Sequence, residues 1–226
     1  MYNNGINKEI KYIAEIIYGT LGLSNDAKQN QNIKKEDIDK IIKDIINEKA
    51  FEEKKLNNLL KILINNGDIL KEISKKINEE KNKGDKEEII KTIKNEILNK
   101  LKYIDYTERI NSITEVIYGL MPEYKENDLI FFITLKREEI KKILDRIIKQ
   151  NDKNEDINLN LLKLEEIVDN KEELRDLGIF LNNNINDEKG LEIKLEKYLL
   201  NIISILDAYK HIEIIEKNAN KLKIRD

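Results

Sequence analysis

Cysteine is missing from all 226 residues, which excludes disulfides, thiolate zinc sites and thiol nucleophiles. Histidine occurs once, as His211. A carboxylate-rich metal site in a helical bundle wants Glu-x-x-His pairs, but the residue three before His211 is Ala208, so Glu15 and Glu115 are left without the partners such a site needs. His211 therefore reads as an exposed or half-packed helix residue. The eight glycines are scattered: Gly19-Thr-Leu-Gly22 lacks both a third glycine and a preceding strand, so no phosphate-cradling loop is formed. There is no Gly-x-Ser-x-Gly elbow for a serine nucleophile. No metal or cofactor is expected. No run of eighteen apolar residues occurs, and the opening MYNNGINKEIKY has no apolar segment behind a basic start. Neither a membrane span nor a signal peptide is expected, and a cytoplasmic location is. Charge of one sign is lacking too, since 41 basic side chains face 44 acidic ones, so no long-range field marks a polyanion binder.

What is present is a core-forming 40% of apolar residues and a repeat. Ile13 to Gly19 (IAEIIYG) returns as Ile113 to Gly119 (ITEVIYG), and Ile33 to Ile46 (IKKEDIDKIIKDII) aligns without a gap on Leu135 to Ile148 (LKREEIKKILDRII). Five of seven and seven of fourteen positions are identical, whereas this composition alone gives about three identities over both blocks. Looser matches follow in order: Leu59-Leu60-Lys61 with Leu161-Leu162-Lys163, Asp85 with Asp187, and Ile97 to Asp105 with Leu199 to Asp207. The expected fold is all-α, with two tandem, duplicated five-helix units at residues 1–105 and 106–226.

Apolar residues recur at three and four spacing throughout. The spacing predicts helices over 7–20, 34–48, 52–65, 69–82 and 86–104, then 106–120, 136–149, 157–168, 171–183 and 188–220. Asn32 and Thr134 are expected as N-caps, and Asp85 with Glu88, Asp105 with Glu108 and Asp169 with Glu172 as capping boxes. Gly84 and Asn66-Gly67 read as stops. The only proline, Pro122, follows a helix end. Gly19 and Gly119 are expected to end their helices with positive φ, with Ile13, Ile17, Ile113 and Ile117 in the core and Tyr18 and Tyr118 half buried against polar partners. After Asp207 the chain begins a degenerate third copy of the first helix, which reads as a polar capping end.

Two surfaces carry the functional expectations. Where the first copy has AKQNQNI, the second has Leu129, Ile130, Phe131, Phe132, Ile133, Thr134 and Leu135. Such a segment must be buried, either against the other copy or against a protein partner or a second copy of the chain. The helix after it carries Arg137, Lys141, Lys142, Arg146 and Lys149, where the first copy has Asp39 and Asp44 in place of Lys141 and Arg146. A cationic face on one copy suits a nucleic-acid accessory. The reading adopted is a non-enzymatic helical interaction or adaptor protein. The alternatives are a nucleic-acid-associated accessory subunit using 136–149, and a helical-bundle enzyme working through scattered acidic residues.

Overall fold

The computed structural model describes residues 4–22, 34–47, 51–81, 86–121, 124–126, 129–131, 135–149, 157–184 and 190–223. The fold is all-α. Among the described residues nine helices run in the order α1 (Asn4–Gly22), α2 (Lys35–Asn47), α3 (Glu53–Asn65), α4 (Gly67–Lys81), α5 (Lys86–Gly119), α6 (Arg137–Lys149), α7 (Ile157–Asp169), α8 (Lys171–Asn183) and α9 (Leu191–Lys223). A small antiparallel hairpin, β1 (Tyr124–Glu126) and β2 (Leu129–Phe131), lies between α5 and α6, with Tyr124 opposite Phe131 and Glu126 opposite Leu129. Isoleucine is an indifferent helix former. The helices form because the isoleucines fall in one stripe per helix and are withdrawn from water together, which outweighs propensity.

The chain divides into two compact units, Met1–Thr107 and Glu108–Asp226, and the division falls inside α5. In the first unit α1 packs on α2, α3 and α4. One core joins Ile10, Ile13 and Ile17 to Ile38, Ile42, Leu56, Leu60, Leu63, Ile73 and the α5 residues Ile93, Ile97 and Leu101. Each such side chain contributes about 2 kcal/mol on burial. Ion pairs rim this core: Lys35 to Glu15, Lys86 to Asp37 at 2.8 Å, Lys76 to Glu96 at 3.0 Å, Lys55 to Asp105 at 2.7 Å, and Lys100 to Glu72. In the second unit α6 and α7 pack on each other and on α9, and α8 packs on α7. The buried set there includes Ile110, Ile113, Ile117, Ile143, Leu144, Leu164, Leu177, Leu195 and Leu199. Phe180 of α8 stacks on Tyr198 of α9 with centroids 4.2 Å apart.

Several local expectations are corrected. The helices expected at 86–104 and 106–120 are one helix, α5, so Asp105 caps nothing; it lies mid-helix and takes Lys55 instead. No glycine or proline stands at that junction, and adding a residue to an existing helix is easier than nucleating a new one. Gly19 lies inside α1, and φ is positive neither there nor at Gly119. The end of α5 is closed by i to i+3 turns, Leu120 N donating to Ile117 O and Met121 N to Tyr118 O, each at 3.1 Å. Asn170, not Asp169, caps α8, its side chain accepting from the amides of Glu172 and Glu173. α2 and α6 start at Lys35 and Arg137, which puts the caps at Lys34 and Lys136. There the amide of Lys34 donates to Asp37 (2.8 Å) and that of Lys136 to Glu139 (2.6 Å), half a capping box each. Asn32, Gly84, Asp85, Pro122, Thr134 and Asp187 lie outside the described residues. Asn66 is the C-cap of α3, and Gly67 already belongs to α4. Ile13, Ile17, Ile113 and Ile117 are buried as expected. Tyr18 is exposed, whereas Tyr118 is half buried under the Arg137 guanidinium, 3.8 Å from its ring centre.

Burial itself repeats. Ile10, Ile13, Ala14 and Ile17 correspond to Ile110, Ile113, Thr114 and Ile117; Ile38, Ile41, Ile42 and Ile45 to Ile140, Ile143, Leu144 and Ile147; Ile89, Ile93, Ile97 and Leu101 to Leu191, Leu195, Leu199 and Ile203. Between α3 and α7 the register differs from the letter match. Leu60 is fully buried while Leu162 is 53% exposed, and the buried Leu56, Leu59, Leu60 and Leu63 answer to Asn160, Lys163, Leu164 and Ile167, a shift of 104. The second unit thus buries an amide and an ammonium where the first buries two leucines. Asn160 donates to Ile147 O at 3.3 Å, and Lys163 reaches Asp207 at 2.6 Å.

Candidate functional site

α9 is amphipathic over its first part. Leu191, Leu195, Leu199, Ile202 and Ile203 are buried, Leu195 and Leu199 following at steps of four and Ile202 and Ile203 lying three and four residues beyond Leu199 on one stripe. The stripe does not stop where its cover does. Ile205, Tyr209 and Ile212 continue it at spacings of four and three, at 45%, 65% and 51% exposure. Every residue from Ala208 to Ile214, close to two helical turns, is exposed. The matching residues of α5 differ in part: Ile110, 102 residues before Ile212, is 5% exposed, whereas Tyr103, which matches Ile205, is 60% exposed. Charges of both signs flank the stripe, with Lys210 held by Glu166 at 2.7 Å and His211, Glu213 and Glu216 exposed. Nothing local in the letters distinguishes these apolar residues from core residues.

The five cations proposed for a nucleic-acid face are spread around α6. Arg137 makes a bidentate pair with Glu115 (2.6 and 3.0 Å) besides covering Tyr118. That pairing holds the Glu115 carboxyl below the usual glutamate range and raises the guanidinium above its ordinary value. Arg146 donates to Glu196 of α9 at 2.8 Å, which likewise raises it. At 100° per residue the two arginines sit on opposite flanks of the helix. The outward strip between them is Glu138, Lys142, Asp145 and Lys149, alternating in sign, while Lys141 is half buried. Of the docking candidates, Leu129, Ile130 and Phe131 form β2, and Phe132 and Ile133 lie outside the described residues.

A groove of about 470 Å³ opens on the first unit between α1 and the C-terminal half of α3, lined by Lys8, Lys11, Tyr12, Glu15, Lys61, Ile64 and Asn65. Sequence reading missed it because its two walls are fifty residues apart and each lysine alone looks like an ordinary solvated side chain. Among the described residues no group of three His, Cys, Asp or Glu is placed to hold a metal ion. No helix there is long and apolar enough to cross a membrane. Comparison of the chain with protein-family models, with curated proteins and with solved structures finds no match.

Proposed function

We propose that the chain is a tandem duplication acting as a non-enzymatic helical interaction protein, and that its interaction surface is the uncovered stripe Ile205, Tyr209 and Ile212. The duplication is supported by the shared burial register and by equivalent contacts: Lys35 to Glu15 and Arg137 to Glu115 are the same pair in the two units, as are the caps at Lys34 and Lys136. The observation that carries the functional reading is the loss of cover along α9. In the second unit Ile110 of α5, which corresponds to Ile212, is buried, and α5 is linked there by ion pairs to two helices, through Arg137 of α6 and Glu165 of α7. An amphipathic helix of a second chain supplies the same kind of cover to Ile205, Tyr209 and Ile212. The mixed charges beside the stripe suit an antiparallel copy of α9 itself.

The test uses the absence of cysteine. Tyr209→Cys gives a single thiol whose crosslinks report what lies on the stripe, and Ile205→Glu with Ile212→Glu removes its apolar character. The double variant is expected to melt with the wild type, since both residues are exposed, and to lose concentration-dependent association in sedimentation; added to Tyr209→Cys, the same two changes are expected to abolish the crosslinks. Unchanged association and crosslinking would refute the stripe. In that event Phe131→Ser tests β2 as the docking segment. Binding that weakens steeply with salt would point instead to the nucleic-acid role assigned to α6.

A further inference from the structure

We propose that the exposed end of α9 pairs with the same segment of a second copy as an antiparallel two-helix coiled coil, in the register that sets Ala208 opposite the other copy's Ala219. The inference rests on the reading of the α9 stripe as an interaction surface, and it fixes the occupant, the direction and the register. Ile205, Ala208 and Ile212 follow one another at steps of three and four, and all three are exposed. The sequence keeps that alternation through Ile215, Ala219 and Leu222, and α9 runs to Lys223. Apolar residues at alternating steps of three and four are the seam by which coiled coils form. α7 holds the other side of the helix, where Lys163 pairs with Asp207 and Glu166 with Lys210. At about 100° per residue, Ile205, Ala208 and Ile212 fall on the side of α9 turned away from those two contacts.

The order of large and small residues makes the seam complementary to itself. Two copies read in opposite directions match Ile205 with Leu222, Ala208 with Ala219 and Ile212 with Ile215, and the twofold repeats every layer. Large residues then meet large ones, while the alanine layers let the two axes approach closely. Sliding one copy by a heptad sets Ala208 against Ile212 or Ala219 against Ile215, and no alanine layer is left. The flanks agree with the same register. Tyr209 of each copy stands beside Glu216 of the other, a hydroxyl donor next to a carboxylate, and both residues are exposed. An antiparallel pair also opposes the helix dipoles and keeps the packed halves, Leu191–Ile203, at opposite ends, whereas a parallel pair brings them side by side.

The chain has no cysteine, so single thiols report the register. Full-length Ala208→Cys and Ala219→Cys proteins, one of them isotope-labelled, are mixed and oxidised in a glutathione buffer, and the disulfide-linked dimers are weighed by mass spectrometry. The mixed dimer is expected to exceed either like-with-like dimer at least about tenfold, because a disulfide forms only between Cβ atoms held close together. Ala208→Leu is expected to melt with the wild type in dilute solution, since Ala208 is exposed, and to associate about tenfold more weakly in sedimentation, since a large side chain forces the axes apart. A surface that only wanted more apolar area would bind more tightly with leucine, so unchanged or tighter association overturns the proposal. Like-with-like dimers in excess would mean a parallel pair, and association without the mixed dimer would mean another register or another partner. Either result overturns this inference and leaves the stripe in place. Failure of the stripe itself reads differently: the wild type does not associate, or its association survives Ile205→Glu with Ile212→Glu.

Discussion

Gly19 shows how far one residue can mislead. An Ile-Tyr-Gly ending looks like a helix stop, but α1 runs on through Thr20, Leu21 and Gly22, and a methyl group added at Gly19 meets nothing within 4 Å. Gly19→Ala is therefore expected to stabilise the protein by about 0.5–1 kcal/mol, by removing backbone freedom from the unfolded chain and raising helix propensity. Urea titration checks it, and a lowered midpoint would mean that the backbone there is not helical. Lys163 is the converse case, a charge at 3% exposure standing where the first unit has Leu59. Asp207→Asn leaves that ammonium with less compensation and should cost about 2 kcal/mol, discounted because Asp207 is itself partly exposed. Lys163→Leu combined with Asp207→Asn should recover most of the loss, as judged by thermal melting. Asp37 ties pH to stability. Lys86 and the Lys34 amide hold its carboxyl below the usual aspartate range, so its contribution is complete above that range and is lost as the pH falls through the lowered value. Asp37→Asn should thus melt below the wild type at neutral pH, with the gap closing in acid; a gap independent of pH would show the cause to be packing.

At the level of elements, position and type were legible and termini were not. The three-and-four spacing of Ile38, Ile41, Ile42 and Ile45, and of Ile140, Ile143, Leu144 and Ile147, identifies α2 and α6 almost to the residue, because core burial imposes that period on any sequence. Caps are decided by single hydrogen bonds about 1 kcal/mol deep. Several residues near Lys34 and Asn170 offer them, so the letters leave the choice open. The fusion of two expected helices into α5 has the same origin, since Asp105 and Glu108 resemble a box but nothing interrupts the helix. Thr107→Pro should cost about 3 kcal/mol, by removing a backbone hydrogen bond and crowding the preceding turn. A change under 1 kcal/mol in urea titration would show that the helix is already broken there. Neither candidate surface was legible. A groove needs the relative placement of α1 and α3, and an uncovered stripe is written in the same residues as a covered one.

Across the whole molecule burial is uneven, and α9 passes from a buried part to an exposed one within a single helix. Amides within Leu191–Ile203 sit over a packed core, and their hydrogen bonds open only when the second unit loses that core. From Ala208 to Ile214 every residue is exposed, and the contact of Lys210 with Glu166 lies at the surface. A helix held in that way frays from its end, one residue at a time. Deuterium should therefore enter the amides after Ala208 orders of magnitude faster than those before Ile203, within a single unbroken helix; uniform protection along α9 would contradict the exposure seen here. The boundary is also a gauge. A chain that closes over Ile205, Tyr209 and Ile212 must push the slow-exchanging zone toward Lys223, so the distance the zone advances measures how much of the helix the newcomer holds, before anything is known of its name.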